Sequence, residues 1–205
     1  MPGRRFVIRW RKAGPLLLGV LSLSCSKRPN DASEFRGYLD AVNRNAVAEA
    51  LAFHTPDAEF IIPGQSPIRG SADLRSLLQY DSVLKSSVRF EAAVQIGDTL
   101  ILGPGSEKNL FFESIGLDSV AYAGGTRVVL EGSLIQGIYP ANLLPESAAV
   151  FQQRYGEFMT WAGEEAPEEV ARLMPDGLFR YDRVSAEAWL QLLRRYAARM
   201  PKDRS

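Results

Sequence analysis

The chain has little of what most catalytic and metal-binding motifs require. Its 205 residues include one cysteine, Cys25, and one histidine, His54. A lone cysteine excludes a disulfide framework within the chain, and one Cys with one His excludes a zinc site built on those ligands. A carboxylate-only metal site stays open, but no calcium-loop pattern occurs. Gly103-Pro104-Gly105 lacks the Lys-Ser/Thr that completes a phosphate loop, and no spaced GxGxxG follows a strand pattern. Ser66, in Gly64-Gln65-Ser66-Pro67-Ile68, lacks the second glycine of a nucleophile elbow. With no histidine nearby, no serine triad can be built. No metal and no cofactor are therefore expected.

Charge of one sign is also missing. Lys+Arg and Asp+Glu number 24 each, so no nucleic-acid footprint shows. The balance hides an asymmetry. Arg4, Arg5, Arg9, Arg11 and Lys12 precede any acidic residue. Without those five, 19 basic residues face 24 acidic ones, and the remainder carries about −5. A mildly acidic surface argues against nucleic acid and anionic lipid as partners. Hydrophobic residues make up 46%, which at this length supports one globular core.

The apolar run Ala13 to Ser24 has 12 residues. A membrane-spanning helix needs about 20. Behind a basic leader, this run fits the core of a signal peptide. Small residues at Ser22 and Ser24 then precede Cys25. The arrangement resembles a bacterial lipoprotein signal, in which Cys25 is lipidated; the alternative is an unmodified cysteine beside an ordinary cleavage site. Arg4-Arg5-Phe6-Val7-Ile8-Arg9 also resembles a twin-arginine export signal. Residues 1–25 are thus expected to be a signal peptide and 26–33 a polar tether. The mature protein is expected to be exported, periplasmic or lipid-anchored through Cys25 to a bacterial membrane.

The rest of the chain reads as α+β. A helical stripe runs from about Ser33 to His54 with a break near Asn43 to Asn45, and Pro56-Asp57 stops it. Ala58 to Ile62 reads as a strand, and Pro63-Gly64 and Pro67 as a loop. Ser71 is expected to cap a second helix that buries Leu74, Leu77, Leu78 and Val83. Val88 to Val94 and Thr99 to Leu102 make a hairpin over Gly97-Asp98. Asn109 to Ile115 reads as a strand or a short helix; the spacing favours a helix capped by Asn109. Thr126 to Leu130 and Leu134 to Tyr139 form another hairpin. Three helices follow, near 146–163, 168–174 and 186–200. Within this extension, Pro175-Asp176 and Phe179 echo Pro56-Asp57 and Phe60, as either a truncated duplication or a coincidence.

The block Tyr38 to Tyr80 (YLDAVNRNAVAEALAFHTPDAEFIIPGQSPIRGSADLRSLLQY) resembles the opening of the nuclear-transport-factor-2-like superfamily, which includes SnoaL-like cyclases and ketosteroid isomerases. The resemblance implies a cone-shaped curved antiparallel sheet with N-terminal helices over 34–144, and the C-terminal helical segment 145–200 as an addition. It also implies a pocket and a homodimer through the outer sheet face. Tyr38 matches the family's helix-one tyrosine. The general-base position just before Pro63 is Ile62, and no carboxylate falls near Thr126 to Val128. The ketosteroid-isomerase mechanism is therefore not expected.

Candidate pocket residues are Tyr38, Phe60, Ile62, Tyr80, Asp81, Glu107, Asn109, Phe111 and Val128. His54, at a helix end, reads as structural. Two functions remain open. One is a protein that binds a small, mostly apolar molecule or a protein partner in a cavity poor in titrating groups. The other is a SnoaL-like enzyme (cyclase, isomerase or hydrolase) that uses a pocket carboxylate with Tyr38. A third, structural reading has the C-terminal helices plugging the cone. The leader yields one test: Cys25→Ala should move the mature protein from the membrane to the soluble fraction, and unchanged fractionation would exclude lipid attachment.

Overall fold

The computed structural model describes residues 31–199. The expected signal peptide, Cys25 and most of the expected tether lie outside the described residues.

The opening helical stripe is two helices, α1 (Asp31–Asn43) and α2 (Val47–Ala52), hinged at Asn45, whose φ is 57°. Ser33 lies inside α1 and is not its cap. Strand β1 (His54–Phe60) starts four residues earlier than expected. Pro56 sits where the β1 register shifts against β9 (Leu134–Tyr139), between His54 and Glu59. An irregular ladder tolerates a residue with no N–H, so Pro56 does not end the element. After β2 (Ile68–Arg69) comes α3 (Gly70–Leu84), which buries Leu74, Leu77, Leu78, Tyr80 and Leu84. Val83 stays half-buried. Ser71 does not cap α3; its hydroxyl donates to the Pro56 carbonyl at 3.3 Å.

The expected strand over 88–94 splits. Strand β3 (Ser87–Phe90) and β4 (Ala93–Ile96) belong to different sheets. Strand β4 pairs with β5 (Thr99–Leu102) as the hairpin. Strand β3 pairs with β6 (Gly105–Lys108), a strand that the Gly-Pro-Gly sequence concealed. At Gly105 a Cβ would lie 2.5 Å from the Phe90 ring and 2.7 Å from the Arg89 carbonyl, so only glycine allows this approach. Helix α4 (Leu110–Ser114) and β7 (Val120–Tyr122) follow, then β8 (Thr126–Glu131), which forms the second hairpin with β9.

The main sheet has the order β2-β1-β9-β8-β5-β4, and the smaller one β3-β6-β7. All pairs are antiparallel except β1 with β9. The main sheet is curved and does not close. Strand β8 shows why one face is buried: Thr126, Val128 and Leu130 alternate with Arg127, Val129 and Glu131, and only the first set is buried. Val128 faces Leu100 across the ladder, under Phe35, Tyr38 and Ala41 of α1.

The C-terminal segment folds as α5 (Pro145–Glu165), α6 (Pro167–Leu173) and α7 (Arg183–Ala197). Asp182 caps α7, accepting from the Ser185 N–H at 2.7 Å. The sequence echo has no structural counterpart, because Phe179 lies in no strand. Asp176 and Gly177 both have left-handed backbone (φ 56° and 77°), and the chain turns there. The Phe179 N–H donates to a side chain, Gln65 Oε1, at 2.9 Å, and not to a ladder.

Three apolar clusters hold the fold. One lies between α1, α2 and the main sheet. A smaller one joins Ala58, Ile68, Leu74 and Leu77. The largest joins Tyr80, Leu84, Phe111 and Val120 to Phe158, Trp161, Trp189 and Leu193 of the C-terminal helices. Phe158 is fully buried, with Phe111 at 5.8 Å, Trp189 at 6.0 Å and Tyr196 at 5.3 Å between ring centroids. Phe158→Ala should therefore destabilise the protein by about 3–5 kcal/mol in denaturant unfolding. A loss below about 1 kcal/mol would show that the extension is not part of the common core.

Candidate functional site: a cavity with two carboxyl groups

A cavity of about 430 Å³ opens between α3, the small sheet, α4 and the C-terminal segment. Ligand pockets for small molecules span about 300–1,000 Å³. The C-terminal helices do not plug it, contrary to the third reading above.

Helix α3 brings Leu77, Tyr80, Asp81 and Leu84 to the wall. Its C-terminus positions Asp81. Lys85 takes a left-handed conformation (φ 57°), and the chain turns back so that the Ser86 N–H meets the Asp81 carbonyl at 2.9 Å. The Ser86 hydroxyl then donates to Asp81 Oδ1 over a long 3.4 Å. Oδ2 has no hydrogen-bond partner among the described residues. Burial and the neighbouring Glu107 charge push the Asp81 carboxyl up to about 8, and Ser86 only partly opposes this. At neutral pH Asp81 therefore holds a proton.

Glu107 comes from β6, between β3 and β7. It pairs with Val120, which places Tyr122 two residues along on the same face of β7. The Tyr122 hydroxyl donates to Glu107 Oε2 at 2.6 Å. Asn109 Nδ2 donates to Oε1 at 2.9 Å, while Asn109 Oδ1 caps α4 by accepting from the Phe112 N–H at 2.9 Å. One asparagine thus ends a strand, starts a helix and orients a carboxylate. Burial raises the Glu107 pKa, and these two donors oppose the rise. Glu107 is the more readily ionised of the two groups, because hydrogen bonds to the charged form favour it.

The remaining wall is largely aromatic and aliphatic. Phe111, Phe112 and Phe151 line one side; Phe60, Ile62 and Pro63 line another. Phe179 and Tyr181 arrive from the segment before α7, with Tyr181 edge-on to Tyr80 at 5.2 Å. Burial and the two carboxyl groups raise the Tyr181 hydroxyl well above its ordinary value, so it is a neutral donor.

Phe60, Ile62, Tyr80, Asp81, Glu107, Asn109 and Phe111 thus share one cavity wall. Tyr38 and Val128 do not, which corrects their placement. Tyr38 stands on the α1 face that covers the main sheet, against Phe53 and edge-on to His54 at 5.0 Å. Val128 is fully buried beneath the same helix. The cavity is not poor in titrating groups, since Asp81 and Glu107 both line it. His54 is buried and remote from the wall. Its Nδ1 donates to the Ala50 carbonyl at 3.1 Å, Nε2 has no partner among the described residues, and burial lowers its pKa. Tyr122, Phe179, Tyr181 and Gln65 were not anticipated. The first lies in Val120-Ala121-Tyr122, an alternation too short to read as a strand. Phe179 and Tyr181 belong to an extension read as helical, and Gln65 to the loop marked by Pro63-Gly64 and Pro67.

No protein-family model matches the chain, and no curated protein matches it. Similar solved structures include an NTF2-like protein of unknown function from Cytophaga hutchinsonii, at 13% identity over 58% of this chain and 94% of that one, with a TM-score of 0.45. An NTF2-like protein from Burkholderia xenovorans LB400 is similar at 19% identity over 58% and 93%, with a TM-score of 0.46. SalBIII, an epoxide hydrolase/cyclase-like enzyme of pyran ring formation in salinomycin, is similar at 14% identity over 57% and 92%, with a TM-score of 0.46.

The raised Asp81 carboxyl has a consequence for stability. Between pH 4 and 8 the folded chain keeps a proton that the unfolded chain has released, so stability falls as pH rises through that window. Asp81→Asn should flatten this dependence. From pH 5 to pH 8, wild type should lose on the order of 2 kcal/mol more than the variant in urea unfolding. Parallel curves for the two proteins would show that Asp81 titrates as an ordinary carboxylate.

Proposed function

We propose that this protein binds a small, mostly apolar molecule in the 430 Å³ cavity and performs proton-transfer chemistry on it. Asp81 is the proton donor and Glu107 the acceptor. One observation carries the reading: two carboxyl groups with unlike hydrogen-bond surroundings face the same apolar cavity. Environments that drive two acids apart assign one as acid and the other as base. The reaction class is one in which a proton is given at one atom and taken at another, as in isomerisation, cyclisation or hydrolytic ring opening. Tyr122 and Asn109 are positioning residues, since they act by orienting and charging Glu107. Tyr80 and Tyr181 supply neutral hydroxyls on the wall.

A binder without catalysis is the second reading. It is favoured by the fact that each Glu107 oxygen already accepts a hydrogen bond. The leader read in residues 1–25 supports an exported, SnoaL-like protein working in a bacterial envelope, with Cys25 as its lipid attachment point.

Mass spectrometry in D₂O separates the readings. The probes are small ketones, enones and epoxides, with and without an amine. Wild type should turn over or isotopically exchange at least one of them. Glu107→Gln and Asp81→Asn should each lower the rate by about 10²-fold or more with unfolding midpoints retained. Binding with no turnover by wild type would establish the binder. Turnover that survives both substitutions would remove the pair from the mechanism.

A further inference from the structure

The cavity has a charge pattern as well as a shape. Its wall carries two carboxyl groups and no Lys, Arg or His. Among the described residues no cation acts on Asp81 or Glu107: Asp81 is perturbed by burial, Glu107 and Ser86, and Glu107 by burial, Tyr122 and Asn109. A buried carboxylate without a counter-ion is costly, and the group either takes a proton or meets a positive charge. No described residue of the wall supplies that charge.

The rest of the wall suits one. Aromatic faces carry partial negative charge, and a cation within about 6 Å of a ring centroid is attracted to them. Several rings line the cavity. Tyr80 and Tyr181 meet edge-on, and Phe179 lies nearly parallel to Tyr181 at 6.1 Å and 24°. Phe112 and Phe151, on the same wall, meet edge-on at 5.8 Å. Asp81 Oδ2 lacks a hydrogen-bond partner among the described residues and belongs to this wall. An anion would be repelled by the carboxylates, and a neutral ligand would leave the carboxylate charge without a counter-ion.

We infer that the cavity takes an organic cation, an ammonium or protonated amine on a mostly apolar body, seated between the aromatic rings and the two carboxyl groups. This rests on the reading that the cavity is the ligand site. It adds that the ionised Glu107, held by Asn109 and Tyr122, neutralises the ligand's charge, while Asp81 keeps the proton it donates.

The test is calorimetry on the purified protein at pH 7 with benzyltrimethylammonium and with neopentylbenzene, its uncharged carbon isostere. The cation should bind about 10-fold tighter or more. Glu107→Gln should cut the preference for the cation about 10-fold and leave affinity for the isostere unchanged. Phe179→Leu, which keeps an apolar wall, should weaken cation binding by about 3-fold or more if Glu107→Gln does not fold. Equal or tighter binding of the isostere would overturn the cation inference and leave the cavity reading standing. Binding of neither probe at millimolar concentration would overturn both.

Discussion

Helix α3 is the constraint on which the rest of the molecule depends. Its side chains enter all three apolar clusters: Leu78 joins the cluster under α1, Leu74 and Leu77 the one at β1 and β2, and Tyr80 and Leu84 the one with the C-terminal helices. The helix leaves Asp73 and Arg75 exposed, and Asp81 is its one charged residue that lines the cavity. Its neighbour Tyr80 is anchored, and the left-handed turn at Lys85 pins the helix end. Asp81 therefore cannot swing to solvent without disturbing packing that stabilises the whole chain. The raised proton affinity of this carboxyl follows from where the core holds it.

The partner acid is held by a different device. Glu107 sits on the central strand of a three-stranded sheet that Gly105 allows to form, and Asn109 and Tyr122 grip both of its oxygens. A core-anchored acid with one long contact thus shares the cavity with a doubly bonded one. The asymmetry, more than the presence of two acids, makes the pair suited to moving a proton. The aromatic wall lowers the dielectric around both and strengthens each effect.

Much of this was legible in local sequence. The β4–β5 and β8–β9 hairpins, the Asn109 cap and the short helix after it follow from turn residues and spacing, which act over a few positions. Seven of the nine candidate residues reach the cavity wall, because Tyr80-Asp81 and Glu107-Asn109 lie at element ends, where chains approach openings. Tyr38 and Val128 failed for one reason. Each was placed by analogy of position, whereas α1 covers the sheet centre and closes it. Strands β6 and β7 were hidden because they are short and flanked by glycine. The echo around Phe179 misled because similar local residues met no strand to pair with.

By itself the sequence determined the α+β class and the elements whose ends are marked by caps and turns. These are properties of short stretches, and the chain specifies them with neighbouring residues. Only the tertiary structure decided that Asp81, Glu107, Tyr122 and Tyr181 share one cavity. Their meeting depends on α3 packing against α7 and on β6 lying between β3 and β7. The α3–α7 contacts join residues about a hundred or more positions apart, and the field that shifts a buried carboxyl depends on distance in space and not along the chain.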